Sequence, residues 1–179
     1  MTNLQNCLDS CSIYVGTYQK YNNGSLCGKW LNLADYSDYY GLLEAMKELH
    51  QDEHDPEYMI QDYENCSFFE KLGLIGESYI SKDIYEIAEQ INDSSYDIDV
   101  FEAYITYINC IGKMDFQSVY DGVINYYIGE YLDDETFAQY ILEESIPESL
   151  PNYIYIDWES TARSLMYDYY SNDGHYFRA

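Results

Sequence analysis

Basic residues are scarce in this sequence of 179 residues, which holds 8 Lys and Arg against 33 Asp and Glu for a formal net charge of -25. Such a surface repels nucleic acid and anionic membranes and attracts basic grooves. No apolar run approaches the length that a transmembrane helix needs. Residues 1–12 have neither the basic n-region nor the apolar h-region of a secretory signal, so we expect a cytoplasmic protein.

The motifs of common enzyme classes are also missing. The sequence has no G-x-x-x-x-G-K-[ST] phosphate loop, no G-x-G-x-x-G dinucleotide motif and no G-x-S-x-G nucleophile elbow. An EF-hand loop is absent as well, although calcium is the natural cation of an acidic surface. No two carboxylates stand out as an acid–base pair. We therefore predict no enzyme, no catalytic residue, no metal and no cofactor.

One segment has the spacing of a zinc site. His50-Gln51-Asp52-Glu53-His54 matches the H-x-x-E-H pattern of one class of zinc peptidases. A metal-dependent hydrolase that uses His50, Glu53 and His54 is therefore one alternative function. Because Asp55-Pro56 ends the preceding helix at the second histidine and no third ligand is marked, we interpret the segment as a solvated helix end.

The cysteines are odd in number and follow no disulfide spacing. Three of them could offer thiolates to a metal, but their spacing is loose and no fourth ligand is evident. We therefore expect free thiols in a reducing cytoplasm. The three are Cys7, Cys11 and Cys27, and the other two are Cys66 and Cys110.

The first third of the chain predicts a small α+β unit. Residues 12–20 alternate, a turn cluster follows at residues 22–25, and residues 26–33 form a second strand of a hairpin. A helix is expected over residues 37–50, and a third strand over residues 58–64.

Short helices are predicted across the middle, residues 66–121. The clearest runs from Lys82 to Ile91, and a second lies near Asp99–Ile111. In the first, apolar residues share one face and acids fall on the other at a spacing of about 4.5–6 Å along the axis. The apolar residues are Ile84, Ile87, Ala88 and Ile91, and the acids are Asp83, Glu86, Glu89 and Asp93.

The last third predicts a second α+β unit, with a strand over residues 123–131, a helix over 133–144 and a helix from its N-cap Asp157 to about Tyr170. The expected fold is α+β, an elongated chain of three small units. They are an N-terminal α+β domain (1–64), a helical acidic middle domain (65–112) and a C-terminal α+β domain that dimerises (113–179).

Acids continue over long stretches without a base. No Lys or Arg lies between Lys82 and Lys113, which enclose seven acids, or between Lys113 and Arg163, which enclose eleven. Ordinary surfaces intersperse both signs, and self-repulsion destabilises the fold, so we expect these acids to bind a partner. The predicted binding residues are Asp83, Glu86, Glu89, Asp93, Asp97, Asp99, Glu102, Glu130, Asp133, Asp134, Glu135, Glu143, Glu144 and Glu148.

Four segments resemble the ArdA family of antirestriction proteins. They are IYVGTYQKYNNGSLCGKWLNL (13–33), LHQDEHDPEYMIQDYE (49–64), YIGEYLDDETFAQYILEE (127–144) and YIDWESTARSLMYDYYSNDGHYFR (155–178). The likeness covers about residues 13–178, and residues 1–12 resemble an extension to which we assign no role.

The resemblance implies a bacterial DNA mimic carried by a conjugative plasmid or transposon, acting as a homodimer of elongated, three-part subunits. Its partner would be the DNA-reading core of a Type I restriction-modification enzyme, with carboxylates in place of phosphates. His50 and His54 would belong to a segment that the family shares for shape and acidity rather than for metal.

Two further expectations complete the hypothesis. The dimer needs a locally apolar interface, for which we predict Phe116, Val119, Val123, Tyr126 and Tyr127, although these residues equally suit a domain core. The alternative function is an acidic binding module for another basic DNA-binding protein, because charge alone does not select the partner. Neither function involves binding to nucleic acid or membranes.

Overall fold

The computed structural model describes residues 6–111, 115–147, 150–151 and 153–179. The chain forms two compact units, one ending at Glu102 and the other beginning at Ala103. Each unit combines helices with antiparallel strands, which confirms the predicted α+β class. The finer division at residues 64 and 112 stays a prediction. No helix in the described ranges is long and apolar enough to cross a membrane.

The first unit contains a three-stranded antiparallel sheet in the order β2–β1–β3. The strands are β1 (Ser12–Thr17), β2 (Lys29–Asn32) and β3 (Tyr58–Glu64). The hairpin and the third strand are confirmed, with Ile13 and Val15 fully buried. The expected first strand ends early, because the Thr17 hydroxyl accepts from the Lys20 N–H and begins the short helix α1 (Tyr18–Asn22).

The same sheet overturns the prediction of free thiols for two cysteines. β1 pairs with β3 so that Ser12 lies opposite Glu64. Cys11 and Cys66 are therefore brought to a Cα–Cα distance of 5.0 Å and form a disulfide. Sequence spacing does not reveal this neighbourhood. Cys7 and Cys27 are free thiols, as predicted, and the side chain of Cys110 lies outside the described part.

The first unit also contains the helices α2 (Tyr39–Leu49), α3 (Ser67–Lys71) and α4 (Ile84–Asp93). Asp38 caps α2 by accepting from the Gly41 N–H at 2.8 Å. A small hairpin of β4 (Ile75–Gly76) and β5 (Tyr79–Ile80) lies where the sequence predicted helix alone. A last helix, α5 (Ile98–Ile111), begins in this unit and ends in the second.

The second unit contains helices α6 (Phe116–Tyr126), α7 (Asp134–Leu142) and α8 (Trp158–Leu165). Its three strands are antiparallel in the order β6–β8–β7. They are β6 (Tyr127–Glu130), β7 (Tyr169–Asn172) and β8 (His175–Arg178).

In the second unit, two boundaries differ from prediction by several residues. The strand expected over residues 123–131 begins at Tyr127, because the residues before it continue α6 and bury Val119 and Val123 one turn apart. The helix expected to reach Tyr170 ends at Leu165. Asp173 and Gly174 have φ of 49° and 84°, the positive values of a two-residue hairpin turn, and this turn pairs the residues after α8 with β8.

Aromatic rings fill the core of the second unit. Phe137 is fully buried, and its ring centroid lies 4.3 Å from that of Tyr176 and 5.0 Å from that of Tyr169. The Tyr176 hydroxyl donates to Asp134 at 2.7 Å. Tyrosine thus supplies apolar contact while its hydroxyl reaches a polar group, which lets a highly charged unit keep a core.

Candidate partner-binding acidic surface

The acids of α4 project from one side of an amphipathic helix. Its opposite face buries Ile84, Ile87, Ala88 and Ile91, as the spacing predicts. All four predicted acids are exposed, namely Asp83, Glu86, Glu89 and Asp93. From the rise of an α-helix, neighbouring carboxylates are spaced by about 4.5–6 Å along the axis. We call these four residues the α4 row.

The next three predicted acids lie around the start of α5. Asp97 and Asp99 are exposed. Glu102 is half-buried, and its carboxylate accepts from the Ser67 hydroxyl at 2.5 Å. Glu102 therefore holds α3 and α5 together as well as adding charge.

The C-terminal acids surround α7. Glu130, Asp133, Asp134, Glu135, Glu143 and Glu144 are all exposed, and Glu148 lies outside the described residues. Asp133 caps the helix through the Thr136 N–H and hydroxyl, at 2.8 and 2.7 Å. These hydrogen bonds hold the pKa of Asp133 below its usual value, first through the backbone N–H of Thr136. Burial, followed by the bond to Asp134, raises the pKa of Tyr176.

Few of these charges meet a base. In the part of the chain that the structure describes, ion pairs join Lys20 to Asp52 and Glu53, and Arg163 to Glu159. Neither pair includes the α4 row or the acids around α7. Residues 1–102 hold 20 acids and 5 bases, and residues 103–179 hold 13 acids and 3 bases, so each unit is strongly anionic by itself.

Three acids of the α4 row, Asp83, Glu86 and Glu89, line one side of a groove of about 880 Å³ in the first unit. The opposite side is formed by the segment 34–40, which adds Asp35 and Asp38. The groove is also lined by tyrosine, with Tyr40 being 71% exposed. Sequence periodicity identified the α4 row but missed this facing segment, since only the fold brings residues some fifty positions apart together. The one local signal for Asp38 was its position as an N-cap.

The H-x-x-E-H pattern does not form a zincin-like site. Helix α2 ends at Leu49, so His50 and His54 do not share a helical face. Gln51, Asp52 and His54 are exposed, as the prediction of a solvated helix end requires, but His50 is 1% exposed, which corrects that prediction for His50. His50 is tied to the sheet, because its Nε2 donates to the Val15 carbonyl at 3.3 Å.

A lysine fills the position that a metal would take. His50, Asp52 and Glu53 place potential ligand atoms within 4.8 Å of one another. The Lys20 ammonium lies 2.9 Å from His50 Nδ1, 2.8 Å from Asp52 and 3.5 Å from Glu53. Because an ammonium only donates, Nδ1 is the acceptor and His50 is the neutral tautomer with its proton on Nε2. The cluster thus has an internal cation, whose pKa the Asp52 hydrogen bond raises.

The residues predicted for dimerisation divide into two groups. Val119 and Val123 are fully buried within the second unit and belong to its core. Phe116 and Tyr127 are half-buried and Tyr126 is 46% exposed, so these three rings retain surface. Gly122 lies against the ring of Tyr104, where a side chain would collide. The interface itself stays a prediction.

Comparison with known proteins matches the chain to a family model. A family model described as Antirestriction protein (ArdA) matches residues 13–178. No curated protein sequence matches the chain.

Proposed function

This chain belongs to the ArdA family of antirestriction proteins, and we propose that it acts as a DNA mimic that occupies the DNA-binding groove of a Type I restriction-modification enzyme. Membership of the family implies an inhibitor that has a restriction-modification enzyme as its partner. Our proposal adds that the acidic surface imitates DNA, that the enzyme is of Type I and that inhibition occurs by occupation of its DNA-binding groove.

The observation that carries the proposal is the α4 row, which is exposed and has no ion pair among the described residues. Like charges three and four residues apart on a helix destabilise it. A row that served only folding or solubility would gain from interspersed bases. The arrangement is explained if the positive charges come from a partner.

The total charge of the chain suits such a partner, although one row of acids is less dense than DNA. B-DNA carries about one phosphate charge per 1.7 Å of axis when both strands are counted. A single row with about 4.5–6 Å between acids is sparser. The net charge of -25 corresponds to roughly a dozen base pairs of phosphate, and a dimer would double that number.

The mechanism is competition for a basic channel. Lys and Arg of the enzyme would form charge-assisted hydrogen bonds with Asp and Glu, releasing counterions as they do on DNA. The inhibitor presents no base edges, so shape and length would set its specificity. It also presents no phosphodiester bond or base to modify. We further propose that it works as a homodimer in the bacterial cytoplasm, protecting the mobile DNA that encodes it.

The test is displacement of DNA. A purified Type I methyltransferase core is loaded with a labelled DNA site, and the full chain is titrated in at several salt concentrations. We expect displacement near one dimer per enzyme, weakening steeply with salt because counterion release drives binding. An unrelated folded protein of similar net charge is the control.

The same titration also gives the result that would refute the proposal. If the folded chain displaces no DNA even at low salt, the proposed function is wrong. Binding to another basic DNA-binding protein would then favour the alternative, an acidic binding module.

A further inference from the structure

The groove beside the α4 row combines carboxylates with tyrosine rings. It is open to solvent, occupies about 880 Å³ and lies wholly within the first unit. Asp35 and Asp38 line one side, and Asp83, Glu86 and Glu89 line the other. Among the described residues that line the groove, Lys82 is the one base. The groove is therefore anionic on both sides.

Several contacts fix the rings in place. The Tyr85 hydroxyl donates to the Leu33 carbonyl at 3.1 Å, which fixes the position of that side chain. Tyr39 and Tyr40 pack edge to face, with ring centroids 5.9 Å apart and planes at 74°. Tyr40 is nevertheless 71% exposed. Its position gives the groove an aromatic surface at solvent level.

The electrostatic environment favours cations. Burial raises the pKa of Tyr36, and the charge of Asp35 raises it further. Burial also raises the pKa of Tyr85, with smaller contributions from Tyr36 and Asp38. Burial is the larger cause for both hydroxyls, and the smaller contributions of Asp35 and Asp38 have the sign expected of a negative potential that attracts positive groups.

We propose that this groove receives arginine side chains of the partner protein and prefers them to lysine. The proposal rests on the proposed function and names the partner group that this part of the surface recognises. A guanidinium is planar, so it stacks on a tyrosine ring while its N–H groups bond a carboxylate in pairs. An ammonium is a compact, strongly hydrated charge that satisfies carboxylates but gains less from the ring.

Two other ligands fit less well. An inorganic anion or a phosphate would meet five carboxylates and one lysine. A neutral aromatic ligand would use the rings but leave the carboxylates to be desolvated without partners. Only a cation with a flat face uses both kinds of lining at once.

The test uses the full chain and two peptides of equal length and charge, one with arginine and one with lysine at every basic position. Calorimetry measures the dissociation constant of each. We expect the wild type to prefer the arginine peptide, and Tyr40→Ala to reduce that preference by about 2- to 5-fold, the size of an exposed cation–π contact. Because Tyr40 is mostly exposed, the fold should persist, and Tyr40→Phe should keep the preference.

A matched charge control uses α2. Glu86→Gln/Glu89→Gln should weaken both peptides, whereas Glu44→Gln/Glu48→Gln makes the same charge change on an exposed face outside the groove and should weaken them less. Equal affinity of the wild type for both peptides, or an unchanged preference in Tyr40→Ala, would overturn the inference.

The inference and the proposed function fail separately. If the wild type displaces DNA from the methyltransferase core but Tyr40→Ala keeps the arginine preference, the inference falls and the DNA-mimic proposal stands. If the arginine preference holds but the wild type displaces no DNA, the groove still binds arginine and the proposed enzyme target is wrong.

Discussion

Neutralising two acids at the C-terminal end of the α4 row should stabilise the protein while weakening its inhibition. Glu89→Gln/Asp93→Asn relieves two like-charge contacts, Glu86 with Glu89 and Glu89 with Asp93, for about 0.4–1 kcal/mol. Asp93 is also the last residue of α4, where a negative charge opposes the helix dipole by about 0.3–1 kcal/mol. The free energy of unfolding should therefore rise by roughly 0.7–2 kcal/mol in a urea titration.

Inhibition should change in the opposite direction. Each exposed charge pair with the enzyme contributes about 0.2–1 kcal/mol, so losing two raises the concentration for half-displacement of DNA by about 2- to 30-fold. The matched control is Glu44→Gln/Glu48→Gln, an exposed like-charge pair on α2 with the same change in net charge.

The control should gain stability and lose less inhibition than the variant in the row. Equal loss of inhibition in the two variants would show that only net charge matters. A variant in the row that is destabilised, or that inhibits like the wild type, would refute the reasoning about the α4 row.

Three further changes test the structural interpretation. Lys20→Met leaves the buried Glu53 carboxylate without its cation and should reduce the free energy of unfolding by roughly 3–5 kcal/mol. Adding Glu53→Gln should recover part of this loss. A Lys20→Met variant as stable as the wild type would contradict this interpretation. Hydrogen bonds lower the folded-state pKa of Asp133. The stabilisation by this cap is therefore fully present above the ordinary pKa of Asp and is lost as the pH falls through the lower, folded-state pKa. Asp133→Asn keeps a capping oxygen that does not titrate, so the free energy of unfolding of this variant should fall less than that of the wild type as the pH is lowered below about 4. Equal losses in the two proteins would argue against this cap. A disulfide that closes a loop of 55 residues should contribute roughly 4 kcal/mol to the free energy of unfolding. A reductant should therefore lower the urea midpoint of the wild type and leave the midpoint of Cys66→Ser unchanged. A wild-type midpoint that does not change with reductant would count against the disulfide.

Local periodicity was enough for the elements whose own residues carry the pattern. The α4 helix has its apolar and acidic faces where the spacing predicts them, and β3 has the predicted bounds. The end of α8 also has a local cause, because the Asp173-Gly174 turn pairs β7 with β8 and interrupts a helical stripe that continues in the sequence. Here a turn signal and a helical period competed, and strand pairing in the second unit decided the outcome.

The sequence by itself determined the sign and amount of charge, the acidic row on one helix and the resemblance to a family of inhibitors. These follow from residue types and from spacings within one element. The tertiary structure alone decided which distant groups meet: Cys11 with Cys66, Lys20 with the His50 cluster, and the segment 34–40 with the α4 row. The physical reason is that sheet register and helix packing set these neighbours through contacts spread over the whole unit, and no short stretch of sequence encodes them.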